Sequence, residues 1–130
     1  MKNQFINAIR DMLLTHKATV VDLTDNKSKP TRGHIGFADD TFYYLLPETS
    51  YAAVCKYYME MDDLYPLSSV MLRVQLIAEG LVIAGTEHRK ATRVKQIDGK
   101  RMRVLWIPRE YIDDERIECA DEINEWVIKE

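Results

Sequence analysis

Arg93, Lys95, Lys100, Arg101 and Arg103 crowd into one stretch, TRVKQIDGKRMRVLWIP (92–108), around the dipeptide Asp98-Gly99. Alternating arms rich in β-branched residues about an Asp-Gly pair predict a β-hairpin, because both central residues of a type I′ turn need positive φ. A two-residue turn sets Ile97 opposite Lys100, Lys95 opposite Met102 and Arg93 opposite Val104 on one face. Gln96 then faces Arg101, and Val94 faces Arg103, on the other. The pattern predicts a tip charged and wet on both faces, anchored in a core by Val104, Leu105, Trp106 and Ile107. Cations on a narrow ribbon suit the phosphates of a polyanion, whose neutralisation releases counterions. His88, Arg89 and Lys90 lie just upstream and would extend the same face.

Nothing else in the chain groups residues for chemistry. His16, His34 and His88 fall at a helix end, a strand approach and a loop, with no spacing that pairs them with one another or with a cysteine. Asp39-Asp40, Asp62-Asp63 and Asp113-Asp114 sit where turns or helix starts are expected, which is where Asp belongs on structural grounds. Cys55 and Cys119 stand far apart without a companion that would complete a zinc box, and read as reduced, small apolar residues. The expectation is a protein without catalytic residues, cofactor or metal. Tyr43, Tyr57 and Tyr58 could stack on exposed bases, although core packing is the plainer role for them.

The net charge of −3 conceals a partition: residues 86–109 hold eight Lys or Arg against two acids, and residues 110–130 hold nine acids against two bases. Such asymmetry suits a nucleic-acid face with a solvating or masking tail, and equally a plain solvated surface. With 130 residues, 46% of them hydrophobic and 30% charged, the chain suits one α+β domain spanning 1–130. No apolar run approaches the length of a membrane span, and the start MKNQFINAIRDML is too polar for a signal peptide or anchor, so a cytoplasmic protein is expected.

The elements that must position the ribbon follow from periodicity. Phe5, Ile6, Ile9, Met12 and Leu13 recur at helical spacing from about Lys2 to Lys17. A short strand at Val20 to Leu23 precedes the loop DNKSKPTR, and Ile35 to Phe37 with Thr41 to Leu46 suggest a second hairpin. Pro47 opens a second helix whose stripe is Tyr51, Val54, Cys55, Tyr58 and Met59. Pro66 opens a third, with Leu67, Val70, Met71, Val74, Ile77 and Ala78 on one arc and Gly80 as its C′ residue. A strand over Leu81 to Ala84 leads into the basic hairpin, and an acidic helix over about 113–130 follows a core of about 1–108. On this wheel Leu72 and Leu76 lie outside the core stripe, beside Ser68, Ser69, Arg73, Gln75 and Glu79. That face is poorly equipped to read bases, and its two leucines suggest cover by a protein partner or the final helix.

The order helix, strand, helix, helix, strand, basic wing, strand is that of a winged helix-turn-helix, here with an extra β-hairpin and an appended acidic C-terminal helix. At FADDTFYYLLPETSYAAVCKYY, LRVQLIAEGLVI and KRMRVLWIP the chain resembles the carboxy-terminal region of helicase or primase-helicase replication proteins of phages and mobile elements. The resemblance covers about residues 33–108. It implies a DNA-replication accessory domain in a bacterial or phage-infected cell, with the motor elsewhere, since no Gly-rich Lys-Ser/Thr phosphate loop occurs here. Such proteins are long, so this chain is either an excised domain or a stand-alone relative.

Two expectations result. The first is a non-catalytic DNA-binding domain that contacts duplex, single-stranded or forked DNA through Arg89, Lys90, Arg93, Lys95, Lys100, Arg101 and Arg103, with Arg73 as a secondary reader. The second is a protein-interaction module in which the Leu72 and Leu76 face or the acidic tail docks on a helicase, a primase or another copy. In either case the acidic final helix could lie against the basic wing and mask it.

Overall fold

The computed structural model describes residues 3–25, 28–31, 33–83 and 91–113. The elements are α1 (Gln4–Leu14), β1 (Thr19–Asp22), β2 (His34–Ala38), β3 (Phe42–Leu45), α2 (Pro47–Glu60), α3 (Ser69–Ala78), β4 (Thr92–Ile97), β5 (Lys100–Pro108) and α4 (Arg109–Asp113). The fold is α+β, as expected. One five-stranded sheet runs in the order β1-β2-β3-β5-β4. Every neighbour is antiparallel except β1 and β2, which are parallel. No helix among the described residues is long and apolar enough to cross a membrane.

The first helix forms where the periodicity places it. Asn3 caps it by accepting from the Ile6 N–H at 3.0 Å, and Phe5, Ile6, Ala8, Ile9 and Met12 face the core. Pro47 sits in the first turn of α2 with Glu48 beside it, where fixed φ and negative charge both favour a helix N-terminus. Three helices end alike: Lys17, Asp63 and Leu81 each return an N–H to the carbonyl of the residue five before it, with His16, Asp62 and Gly80 at positive φ between.

α3 is rotated relative to the sequence reading. Leu72 and Leu76 are 2% and 0% exposed, whereas Val70, Met71 and Val74 are 65%, 51% and 52% exposed. The wheel offered two apolar faces, and the polar neighbours decide between them. Leu72, Gln75, Leu76 and Glu79 share one side of the helix, and Asn3 Nδ2 donates to Gln75 Oε1 and Glu79 Oε1 at 3.0 and 3.1 Å. That clamp turns the leucines inward, so the expectation that Leu72 and Leu76 form a partner surface is corrected: they are core.

The sheet is apolar on both faces. Phe5, Ile9, Val54, Leu72, Leu76, Leu105, Ile107 and Ile112 join the sheet to the helices. Val21, Phe37, Tyr44, Ile97 and Val104, with Phe42, Met102 and Trp106, form a second cluster on the far face. The β1–β2 register shifts between Thr19 and Val20, leaving Ile35 as an extra residue in β2. The bulge breaks the alternation, so Ile35 joins the helix-side core while Phe37, two residues on, joins the other. Gly36 sits in the tightest spot, where a Cβ would lie 2.3 Å from the Tyr44 carbonyl oxygen.

One expectation ends differently. At Leu81–Ile83 no strand forms; Leu81 and Val82 are buried, and the Ile83 N–H donates one bond of 2.9 Å to the Trp106 carbonyl. The short α4 was not foreseen. It is tied down by Arg10, whose guanidinium donates to the Tyr111 and Ile112 carbonyls at 2.7 and 2.6 Å. The expected acidic helix over about 113–130 lies outside the described residues beyond Asp113.

Candidate nucleic-acid interface

The basic hairpin adopts the expected register at every pair: Ile97 to Lys100, Gln96 to Arg101, Lys95 to Met102, Val94 to Arg103 and Arg93 to Val104. Asp98 and Gly99 have φ of 51° and 77°, the two positive values that a type I′ turn requires. β3 pairs with β5 only over Leu105–Pro108, so Lys100–Val104 are held by β4 alone. The turn therefore lies beyond the end of the central strand, and its residues Asp98, Gly99 and Lys100 are exposed.

Its two faces differ, which corrects the expectation of a tip wet on both sides. On one face Ile97 and Val104 are 4% and 0% exposed, and the cations between them lie on aromatic rings. The Arg93 guanidinium sits 4.7 Å from the Trp106 ring centre, and the Lys95 ammonium sits 4.8 Å from Tyr44 and 5.5 Å from Trp106. Trp106 and Tyr44 meet edge to face at 5.0 Å, and Phe42 meets Trp106 at 5.3 Å. Arg93 and Lys95 are thus half-buried and tied into the fold.

On the opposite face Val94, Gln96, Arg101 and Arg103 are exposed. Arg101 and Arg103 point the same way, roughly 7 Å apart by strand geometry. Among the described residues no acid forms an ion pair with Lys100, Arg101 or Arg103. Arg73, the cation expected on α3, is bound to Glu48 of α2 and is thereby neutralised. Arg89 and Lys90 lie outside the described residues.

The aromatic bed under Arg93 and Lys95 was missed at the level of sequence. A signal existed: with Arg93 opposite Val104, the ring of Trp106 lies on the diagonal of the same face, within reach of a long side chain. Asp39 fixes that bed from the side. Its carboxylate accepts from the Thr41 and Phe42 N–H groups at 2.8 and 2.9 Å and from the Tyr44 hydroxyl. Burial pushes the Asp39 carboxyl up, but these hydrogen bonds and the charge of Lys95 outweigh it and hold it below the usual carboxylate range. Tyr44 is pushed well above the ordinary tyrosine range by burial and by its bond to Asp39. Near the foot of β5, Tyr43 donates to Asp113 while Arg109 bonds Asp113 at 2.7 Å and the Asp39 carbonyl at 3.0 Å.

The exposed face can hold phosphates by charge and by guanidinium hydrogen bonds. Among the described residues no cluster of His, Cys, Asp and Glu is placed to hold a metal ion. His34 packs edge to face on Phe37, and His16 occupies the positive-φ position after α1. No protein-family model, curated protein or solved structure matches this chain.

Proposed function

We propose that the chain is a non-catalytic DNA-binding accessory domain that grips the DNA backbone through the β4–β5 hairpin. The observation that carries this reading is the exposed trio Lys100, Arg101 and Arg103, without an acidic partner among the described residues, at the end of a hairpin that extends beyond β3. Three strands in the order β3-β5-β4, with α2 and α3 between the first and the last two, support a winged helix-turn-helix. The resemblance to phage and mobile-element replication helicases supports placing it beside a helicase or primase motor. Affinity comes from phosphates and not from base edges, because α3 presents Val70, Met71 and Val74 outward and its Arg73 is occupied by Glu48. The test is fluorescence anisotropy with single-stranded, duplex and forked DNA. Replacing Lys100, Arg101 and Arg103 together by Ala should abolish binding at moderate salt; unchanged affinity would reject the reading.

A second reading is favoured by that same outward face. Val70, Met71 and Val74 form an apolar strip on a helix, which suits a protein partner such as a replication helicase, a primase or another copy. On this reading Val74→Asp abolishes capture of the partner in pull-downs, while Leu72 and Leu76 act only through folding.

A further inference from the structure

A cavity of about 440 Å³ opens between the end of α1, the start of β2 and one face of α2, far in sequence from the hairpin. Its volume falls within the range of small-molecule sites, about 300–1,000 Å³. Thr49, Ala52, Ala53, Lys56 and Glu60 lie along one side of α2 at helical spacing, and the two alanines are what keep the space open. Met12, Ile35 and Ala53 supply apolar surface, and Lys17 and Lys56 supply the polar side.

Two features give the cavity a sign. Lys56 is exposed and has no acidic partner among the described residues. Lys17 is held over the Tyr57 ring at 5.7 Å and reaches Glu60, the one acid among the described lining residues, only at 3.8 Å. His34 borders the cavity but turns its ring onto Phe37 in the far-face cluster, so its imidazole is not part of the site. The Tyr57 hydroxyl is already committed to Asp11, which fixes the ring beneath Lys17.

We propose that this cavity binds a small organic phosphate monoester, with the phosphoryl group between Lys17 and Lys56 and an apolar body on Met12, Ile35 and Ala53. Two ammonium groups match a dianion better than a single carboxylate, and the apolar floor favours an ester over free phosphate. The site is separate from the hairpin, so its occupation does not depend on DNA binding.

The experiment is a titration of the full chain with phenyl phosphate, phenylacetate, inorganic phosphate and benzyl alcohol, followed by 1H–15N NMR and calorimetry. Phenyl phosphate should bind saturably and shift the amides of His34, Ala53 and Lys56, with the three other probes weaker. Lys56→Ala should weaken it about tenfold, as expected for removing one charge-assisted hydrogen bond. Ala52→Glu, at an exposed position on the cavity wall, should abolish it without disturbing the fold. The Lys100/Arg101/Arg103→Ala variant should bind phenyl phosphate as the parent does. Absence of saturable shifts, shifts confined to the hairpin, loss in the hairpin variant, or full binding in both cavity variants would each overturn the proposal.

Discussion

Asp39 organises the far face of the sheet from a position that reads, in sequence, as an ordinary turn residue. It caps the β2–β3 turn through Thr41 and Phe42 and holds the hydroxyl of Tyr44, on whose ring Lys95 rests. Asp39→Ala should therefore cost about 1–2 kcal/mol in urea unfolding, the scale set by removing a capping side chain. Because its folded pKa is lowered, Asp39 contributes fully above the unfolded value of 3.8, and that contribution is lost as pH falls through the folded value. His34 acts in the same direction at higher pH: burial lowers its pKa from 6.5, so the unfolded chain takes up the proton first. Stability should fall as pH drops from 6.5 toward the folded value, and His34→Gln should flatten that part of the profile. Equal pH dependence in parent and variant would refute the assignment. The hairpin pairs were legible residue by residue because a two-residue turn fixes them. The ring contacts were not, since they depend on how far Arg93 and Lys95 bend across the sheet.

At the scale of elements, α3 shows where a helical wheel runs out. Its apolar residues cover two faces, and the contacts of Asn3 with Gln75 and Glu79 favour the one that carries Leu72 and Leu76. Leu76→Ala should cost about 2–5 kcal/mol, as for other fully buried leucines. Val74→Asp, on the exposed side, should stay within about 0.5 kcal/mol of the parent. Chemical denaturation of the two variants checks the rotation directly, and the reverse order of effects would contradict it. The helix positions of α1 and α2, the C′ glycine of α3 and both hairpins were legible because periodicity, Pro47, Gly80 and Asp98-Gly99 act locally. The parallel pairing of β1, the bulge at Ile35 and the five-residue α4 were not, because each is set by contacts between segments far apart in sequence.

For the whole molecule the governing feature is the separation of charge along the chain. The hairpin presents Lys100, Arg101 and Arg103 without acidic partners among the described residues, while residues 114–130 hold seven acids against two bases. If that acidic segment competes with DNA for the hairpin, its removal should tighten DNA binding most strongly at low salt, where charge is least screened. Equal affinity with and without residues 114–130 would show that it does not compete. The account rests on the hairpin being the DNA contact, and a salt titration of DNA affinity tests this most directly. The slope of log affinity against log salt should be steep for the parent. It should be shallower by about 3 on duplex DNA when Lys100, Arg101 and Arg103 are Ala, near 0.9 for each phosphate no longer neutralised. Identical slopes and affinities in parent and variant would contradict the account.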